Sequence, residues 1–365
     1  MIRLLAAACA LAIVAGCTSE PPADLILRGG RVVTLDDEGP TAATAVAVRG
    51  GRIVKVGADK AVLDLRGPRT QVIDLVGAVV VPGLCDSHMH LMGLGKALAE
   101  IGLEGTDSVE ACLERVAAAA ADAPEGAWLQ GRGWDQNDWS DPSWPTREQL
   151  DAVTGGHPCL LRRVDGHAAW ANSAALSAAG LDASSPDPAG GEVVRRADGT
   201  PAGVLIDNAV DLVRAVVPPP GDAEKAAWIR GAAAHCAAHG VTAVHDAGVS
   251  WETAGLIRRL AGAADPAERL PVRWYGMIED TPASLDAALA AGPLREQDGM
   301  VTLRAVKLYA DGALGSRGAL LLRDYSDRPG HRGLAVTSVA HLDSTARRAA
   351  DAGFQVATHA IGDGA

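Results

Sequence analysis

Aromatic residues are scarce: of 365 residues one is Phe, three are Tyr and eight are Trp. A core must therefore be built mostly from aliphatic side chains and alanine, and 48% of the chain is apolar, which is enough for that. Cations are also in deficit. Lys and Arg number 33 against 45 Asp and Glu, a formal net charge of -12, and no cluster of basic residues is present. Binding of nucleic acid through a basic face is excluded, because neutralising phosphates needs such clusters. There are six cysteines and no CxxC. The wide spacing of Cys85, Cys112, Cys159 and Cys236 argues against a zinc knuckle or a dense disulfide framework. Gly93-Leu94-Gly95-Lys96 lacks the upstream glycine and the following Ser or Thr of a P-loop. No GxGxxG follows a strand, and there is no GxSxG elbow.

One long apolar run stands at the start. Leu4 to Ala15 follows Arg3 and is too short to span a bilayer. It ends in Val14-Ala15-Gly16-Cys17, a lipobox-like sequence. The expectation is a lipoprotein signal peptide over residues 1–16, lipid on Cys17, and a tether over 17–23. Such a protein would sit in the bacterial cell envelope, facing the periplasm or the exterior, with its membrane contact made through the lipid.

Residues 24–80 alternate short β-like runs with glycine turns, which predicts a small β module. From Val79-Val80-Val81 onward the runs lose their alternation, as strands buried on both faces do. Such runs recur at residues 241–244, 272–275, 303–309 and 354–359, and several are separated by Ala-rich helical stretches. Residues 222–239 and 340–352 are two of these, each followed by a glycine suited to a helix C′ position. Residues 81–365 therefore read as strand–helix units of a (β/α) barrel. Residues 95–220, rich in Trp, Asp and Pro turns, read as an insertion after the first barrel strand.

His88 and His90 flank Met89 just beyond Pro82-Gly83. In an extended segment, side chains two apart share a face. Two neutral imidazoles on one face can hold one divalent ion. Asp86 and Ser87 are candidates to support them. His235 and His239 are also spaced for a shared ligand on a helix, but they fall in its last turn, where the helix dipole or solvent accounts for them. Neither His245 nor Asp246 is read as a ligand.

The string Pro82-Gly83-Leu84-Cys85-Asp86-Ser87-His88-Met89-His90, after a β-rich module, resembles the amidohydrolase superfamily. The segments 131–135, 163–172, 307–318 and 358–363 resemble its amidohydrolase family 3 branch, which includes formamide-deformylase-like enzymes. The resemblance covers residues 24–365. It implies an α/β protein: a partial (β/α)8 TIM-type barrel with about five of the eight strands present. It implies that His88 and His90 are first-strand metal ligands and that His359 is the fifth-strand ligand. Lys307 matches the fourth-strand position that carries a bridging carbamate in members with two ions; the ordinary alternative is a lysine paired with Asp311. His167 matches a position facing the pocket, where substrate contact or a structural hydrogen bond are both open. Trp134, Asp135 and Arg317 fall in motif loops that either shape the pocket or anchor the loops.

The implied activity is hydrolysis of a C–N bond outside ordinary peptides, in a small-molecule amide or formamide. The implied cofactor is one or two divalent ions, with zinc expected. Family members continue beyond the fifth-strand motif and supply a further His and the catalytic Asp, so the chain reads as a fragment ending at Ala365 with little turnover of its own. Two other readings stay open here: an envelope lipoprotein that uses the scaffold only for binding, and a cyclic-amidase or deaminase-type enzyme.

Overall fold

The computed structural model describes residues 20–35, 43–296, 298–315 and 317–365. The signal-peptide segment and Cys17 lie outside them. Among the described residues no helix is long and apolar enough to cross a membrane. The chain divides into two compact units between Gly83 and Leu84.

In the first unit Leu25–Arg28 is central to a four-stranded sheet. It pairs antiparallel with Ala45–Arg49 and parallel with Gln71–Asp74, and Arg52–Gly57 adds to the outer edge of Ala45–Arg49. Ile26, Ala45, Ala47, Val62 and Leu65 form its small core. The Val79-Val80-Val81 run, expected to be a strand buried on both faces, is not one. Val79–Val80 pairs with Arg31–Val32 in a two-stranded ribbon, and Val79 and Val81 are more than half exposed. Pro82 explains the break: it lacks the N–H that a continuing ladder needs.

The second unit carries five parallel strands in the order β1 (Leu84–Met89), β2 (Val241–Val249), β3 (Arg273–Glu279), β4 (Val301–Tyr309) and β5 (Gln355–His359). Each is followed directly or after a loop by helix or turn, and helices α1 (Leu91–Ala99), α2 (Asp222–Ala238), α3 (Trp251–Ala261), α4 (Pro282–Ala291) and α5 (Val339–Asp351) supply its apolar cover. The two glycines expected to end helices do so: Gly240 follows α2 at φ 78° and Gly353 follows α5 at φ 82°. Positive φ costs glycine little, which is why it stands there. Gly95 has another task. A Cβ there would lie 2.0 Å from the Trp228 carbonyl oxygen, so only glycine lets α1 pack this closely on α2.

The anticipated interruption over 95–220 is a second sheet, starting just after α1. Ile101–Gly102, Leu129–Trp134, Cys159–Arg163, Ala168–Ala171, Pro201–Asp207 and Gly191–Arg195 lie side by side in that order. Its two cores are separate from that of the parallel strands. The four cysteines among the described residues are free; three are buried and Cys85 is exposed.

Candidate functional site

The site is built on the C-terminal ends of β1, β4 and β5. Along β1 the strand alternation is carried through its last residues. Met89 turns into the core beside Leu91, while His88 and His90 stay on the accessible side. Their rings lie edge to face with centroids 6.0 Å apart. Partial burial holds the His88 imidazole below its ordinary pKa, and Lys307, His90 and His359 add to this; Asp86 opposes it. The neutral imidazole is the form a metal needs. The Asp86 carboxylate accepts a hydrogen bond from the His88 backbone N–H at 3.1 Å, so it shapes the chain and not the ring.

Asp246 fixes the end of this segment from β2. It is buried, and its two oxygens accept from the Leu91 N–H at 3.3 Å and from the Trp274 indole N–H at 3.0 Å. Burial pushes its carboxyl up, against those two donors and the nearby His90. The residue after His90 is thereby tied to β2 and β3. Asp246→Asn presents one N–H donor with an amide NH2 in place of an acceptor. It is expected to destabilise the protein by about 1–3 kcal/mol in urea unfolding; unchanged stability would show that the two donors find other acceptors.

Lys307 on β4 is 4% exposed and has no carboxylate partner among the described residues. Its ammonium lies 4.9 Å from the centre of the Tyr309 ring, and burial lowers its pKa. The ordinary alternative, a pair with Asp311, is not what forms. Asp311 is itself buried and accepts from the N–H groups of Leu320, Ile361 and Gly362 at 2.7–2.9 Å. Burial alone would raise its carboxyl, but these donors and His359 bring it below the usual value. It therefore clamps the loops after β4 and β5 together. His359, opposite Tyr309 across the β4–β5 ladder, has Nε2 3.4 Å from the Gly312 carbonyl oxygen and 3.7 Å from Asp311.

Gly248 near the end of β2 completes the surroundings. Its φ is 118°, and a Cβ there would meet the Tyr309 hydroxyl at 3.4 Å and Lys307 Cγ at 3.6 Å. Beside it, His90, Asp246, Gly248, Ser250, Thr253 and Glu279 line a pocket of about 210 Å³. Among the described residues no three His, Cys, Asp or Glu side chains are grouped as a ready-made metal site. His88 and His90 stand together at the end of β1, and Lys307 and His359 are close enough to act electrostatically on His88.

The remaining expected residues lie elsewhere. His167 is exposed and its Nδ1 is 2.8 Å from Asp207, which raises its pKa; Asp207 adopts φ 47° beside it. Trp134 is fully buried among Trp139, Trp144 and Trp170, and its indole N–H donates to the Leu161 carbonyl at 2.8 Å. It supports the second sheet and presents no surface to a substrate. Asp135 caps the short turn Gln136–Asp138 and accepts from Arg163 at 2.5 Å. Arg317, at φ 59°, pairs with Asp327 at 2.7 Å inside its own loop. For Asp135 and Arg317 the contacts are those of loop anchors. Asp246, Asp311 and Tyr309 were not singled out as site residues from sequence. Asp311 and Tyr309 sat in plain view within the segment 307–318, but no spacing rule marks a clamp or a free phenol.

Parallel strands under helices, with titratable groups at their C-terminal ends, define an α/β scaffold of the enzyme type. The model of the amidohydrolase family matches residues 71–365, and the chain belongs to that family. It is 35% identical to Protein LONG AFTER FAR-RED 3 of Arabidopsis thaliana, over 93% of this chain and 59% of that protein. It is 32% identical to the N-substituted formamide deformylase of Arthrobacter pascens, over 68% of this chain and 46% of that one. Among solved structures it is similar to an uncharacterized metal-dependent hydrolase from Pyrococcus furiosus, with a TM-score of 0.74 at 26% identity, covering 93% of this chain and 67% of that one. The chain thus spans roughly half to three-fifths of the length of these two relatives.

Proposed function

We propose that this chain carries the metal-holding part of a metal-dependent hydrolase that cleaves a C–N bond in a small-molecule amide or formamide. The observation that carries the reading is His88 in the electrostatic company of Lys307, His90 and His359, at the ends of β1, β4 and β5, with Lys307 buried and without a carboxylate partner among the described residues. In this reading the five strands are an arc of a (β/α)8 barrel. His88 and His90 would hold a divalent ion, zinc by our choice, with His359 and a carbamate on Lys307 available to a second. Burial without a counter-ion favours the neutral amine, and only a neutral amine adds to carbon dioxide. The modification converts a group that repels cations into an anionic oxygen donor.

When bound, the ion supplies acidified water and a polarised carbonyl. The residues of the chain do the rest. His88 and His90 would hold the ion, Asp246 ties the chain after His90 to β2, Asp311 clamps the loops after β4 and β5, and the pocket beside His90 receives the acyl group. Water adds to the carbonyl carbon, the C–N bond breaks, and the amine leaves with a proton. The formamide preference rests on the Arthrobacter relative. We extend the reading to a lipid anchor on Cys17 and a place in the cell envelope, which rests on Arg3, the apolar run Leu4 to Ala15 and the lipobox-like residues 14–17.

Zinc titration of the apo chain, with and without bicarbonate, tests this. Expected are saturable binding reversed by a chelator, and the mass of one carbon dioxide added at Lys307 in the native protein. Hydrolysis of an N-substituted formamide that survives complete chelation would sink the mechanism, and so would absence of zinc binding.

A further inference from the structure

The three tyrosines of the chain divide two against one. The Tyr275 hydroxyl bonds to Gln355, and the Tyr325 hydroxyl donates to the Ala319 carbonyl at 2.8 Å. The Tyr309 hydroxyl has no hydrogen-bond partner among the described residues. It is also the tyrosine at the site. Its ring is partly exposed and lies near Lys307, whose nitrogen is 4.9 Å from the ring centre, and His359, whose ring is 5.6 Å away. From β4 the side chain reaches over to β2, where its oxygen faces the bare Cα of Gly248. A Cβ at residue 248 would stand in van der Waals contact with that oxygen, at 3.4 Å. A phenol with its ring packed on two members of the site and its O–H unspent is a preplaced donor.

We propose that Tyr309 is a substrate-contacting residue, whose hydroxyl donates a hydrogen bond to the carbonyl oxygen of the bound amide as that oxygen gains charge. This rests on the hydrolase reading above and adds a specific donor to it. No proton is transferred by Tyr309. As water oxygen bonds to the carbonyl carbon, the C=O pair moves onto oxygen, and the O–H···O contact strengthens. Donors of this kind act where charge develops and need no rearrangement at the moment of reaction.

The scarcity of tyrosine makes a direct test possible in the chain as it stands. Protein labelled with carbon-13 only at the tyrosine Cζ gives three signals, assigned with the Tyr→Phe variants. Zinc is added first, then methylphosphonate as a tetrahedral stand-in for the charged acyl group. The expected result is that methylphosphonate moves the Tyr309 signal and leaves those of Tyr275 and Tyr325 in place. Tyr309→Phe should bind zinc as the parent does and methylphosphonate about tenfold more weakly, the size of one hydrogen bond to a charged acceptor. Equal methylphosphonate affinity in the two proteins overturns the proposal, as does zinc-loaded protein that binds no methylphosphonate or an unmoved Tyr309 signal. Loss of zinc in Tyr309→Phe also overturns it, by showing a structural role. If the parent chain binds no zinc, the hydrolase reading fails first and this one with it, and the zinc titration tells that case from the others.

Discussion

Replacing His90 by alanine is expected to weaken zinc binding by on the order of 100-fold or more while leaving the fold intact. Removal of a residue that merely orients a ligand already costs 10–100-fold, and His90 is proposed as a ligand itself. Only His88 shares its strand end and its face, so one imidazole cannot substitute for the pair. The fold has little stake in the ring. His90 stands at the N-cap of α1, but its side chain makes no capping bond there. The local chain is held instead through the Leu91 N–H on Asp246 and by Met89 and Leu91 in the core. Calorimetric titration of zinc reads the loss, and circular dichroism reads the fold. His235→Ala is the control, because that ring is exposed and lies 4.4 Å from the His239 ring at the end of α2. Undiminished affinity in His90→Ala would remove the pair from the metal site. Equal loss in both variants would point to nonspecific binding by surface histidines.

The places of several parallel strands along the chain and the strand-end position of the candidate ligands were legible because each rests on a local pattern. Apolar runs ending in polar residues locate β2, β4 and β5, and glycines at the C′ positions of α2 and α5 mark where helices give way to strands. The run Val79-Val80-Val81 misled because hydropathy does not say which sheet a strand joins. Its membership is decided by pairing with Arg31–Val32, a partner far away in sequence. The site residues divide in the same way. His88 and His90 announce themselves by spacing two. Asp246 and Asp311 act through N–H groups of Leu91, Leu320, Ile361 and Gly362, some of them about fifty or more positions distant, and such clamps leave no periodic trace. The free hydroxyl of Tyr309 is a property of what surrounds it and is invisible in the string Lys307-Leu308-Tyr309.

Trp134→Ala should be the most destabilising change considered, lowering stability by about 4 kcal/mol in urea unfolding, within the range for large aromatic deletions in cores. The indole is fully buried, and its ring centroid lies 6.0 to 6.3 Å from those of Trp139, Trp144 and Trp170. Its removal leaves a cavity beside the buried Trp139 and Trp170, and it strands the Leu161 carbonyl without its donor. Trp134→Phe separates the two terms. It keeps an aromatic body among the other tryptophans and loses the N–H with part of the volume, so its cost should fall well below that of alanine. Zinc affinity gives the decisive contrast. Trp134 belongs to the core of the second sheet, whereas Met89, Leu91 and the β4 residues Val306 and Leu308 belong to that of the parallel strands. Trp134→Phe should therefore bind zinc and methylphosphonate as the parent does while melting earlier. A residue that lined the pocket would show the reverse: altered ligand affinity with stability preserved. That outcome would return Trp134 to the site, and it would mean that the second sheet reaches the chemistry through its tryptophans.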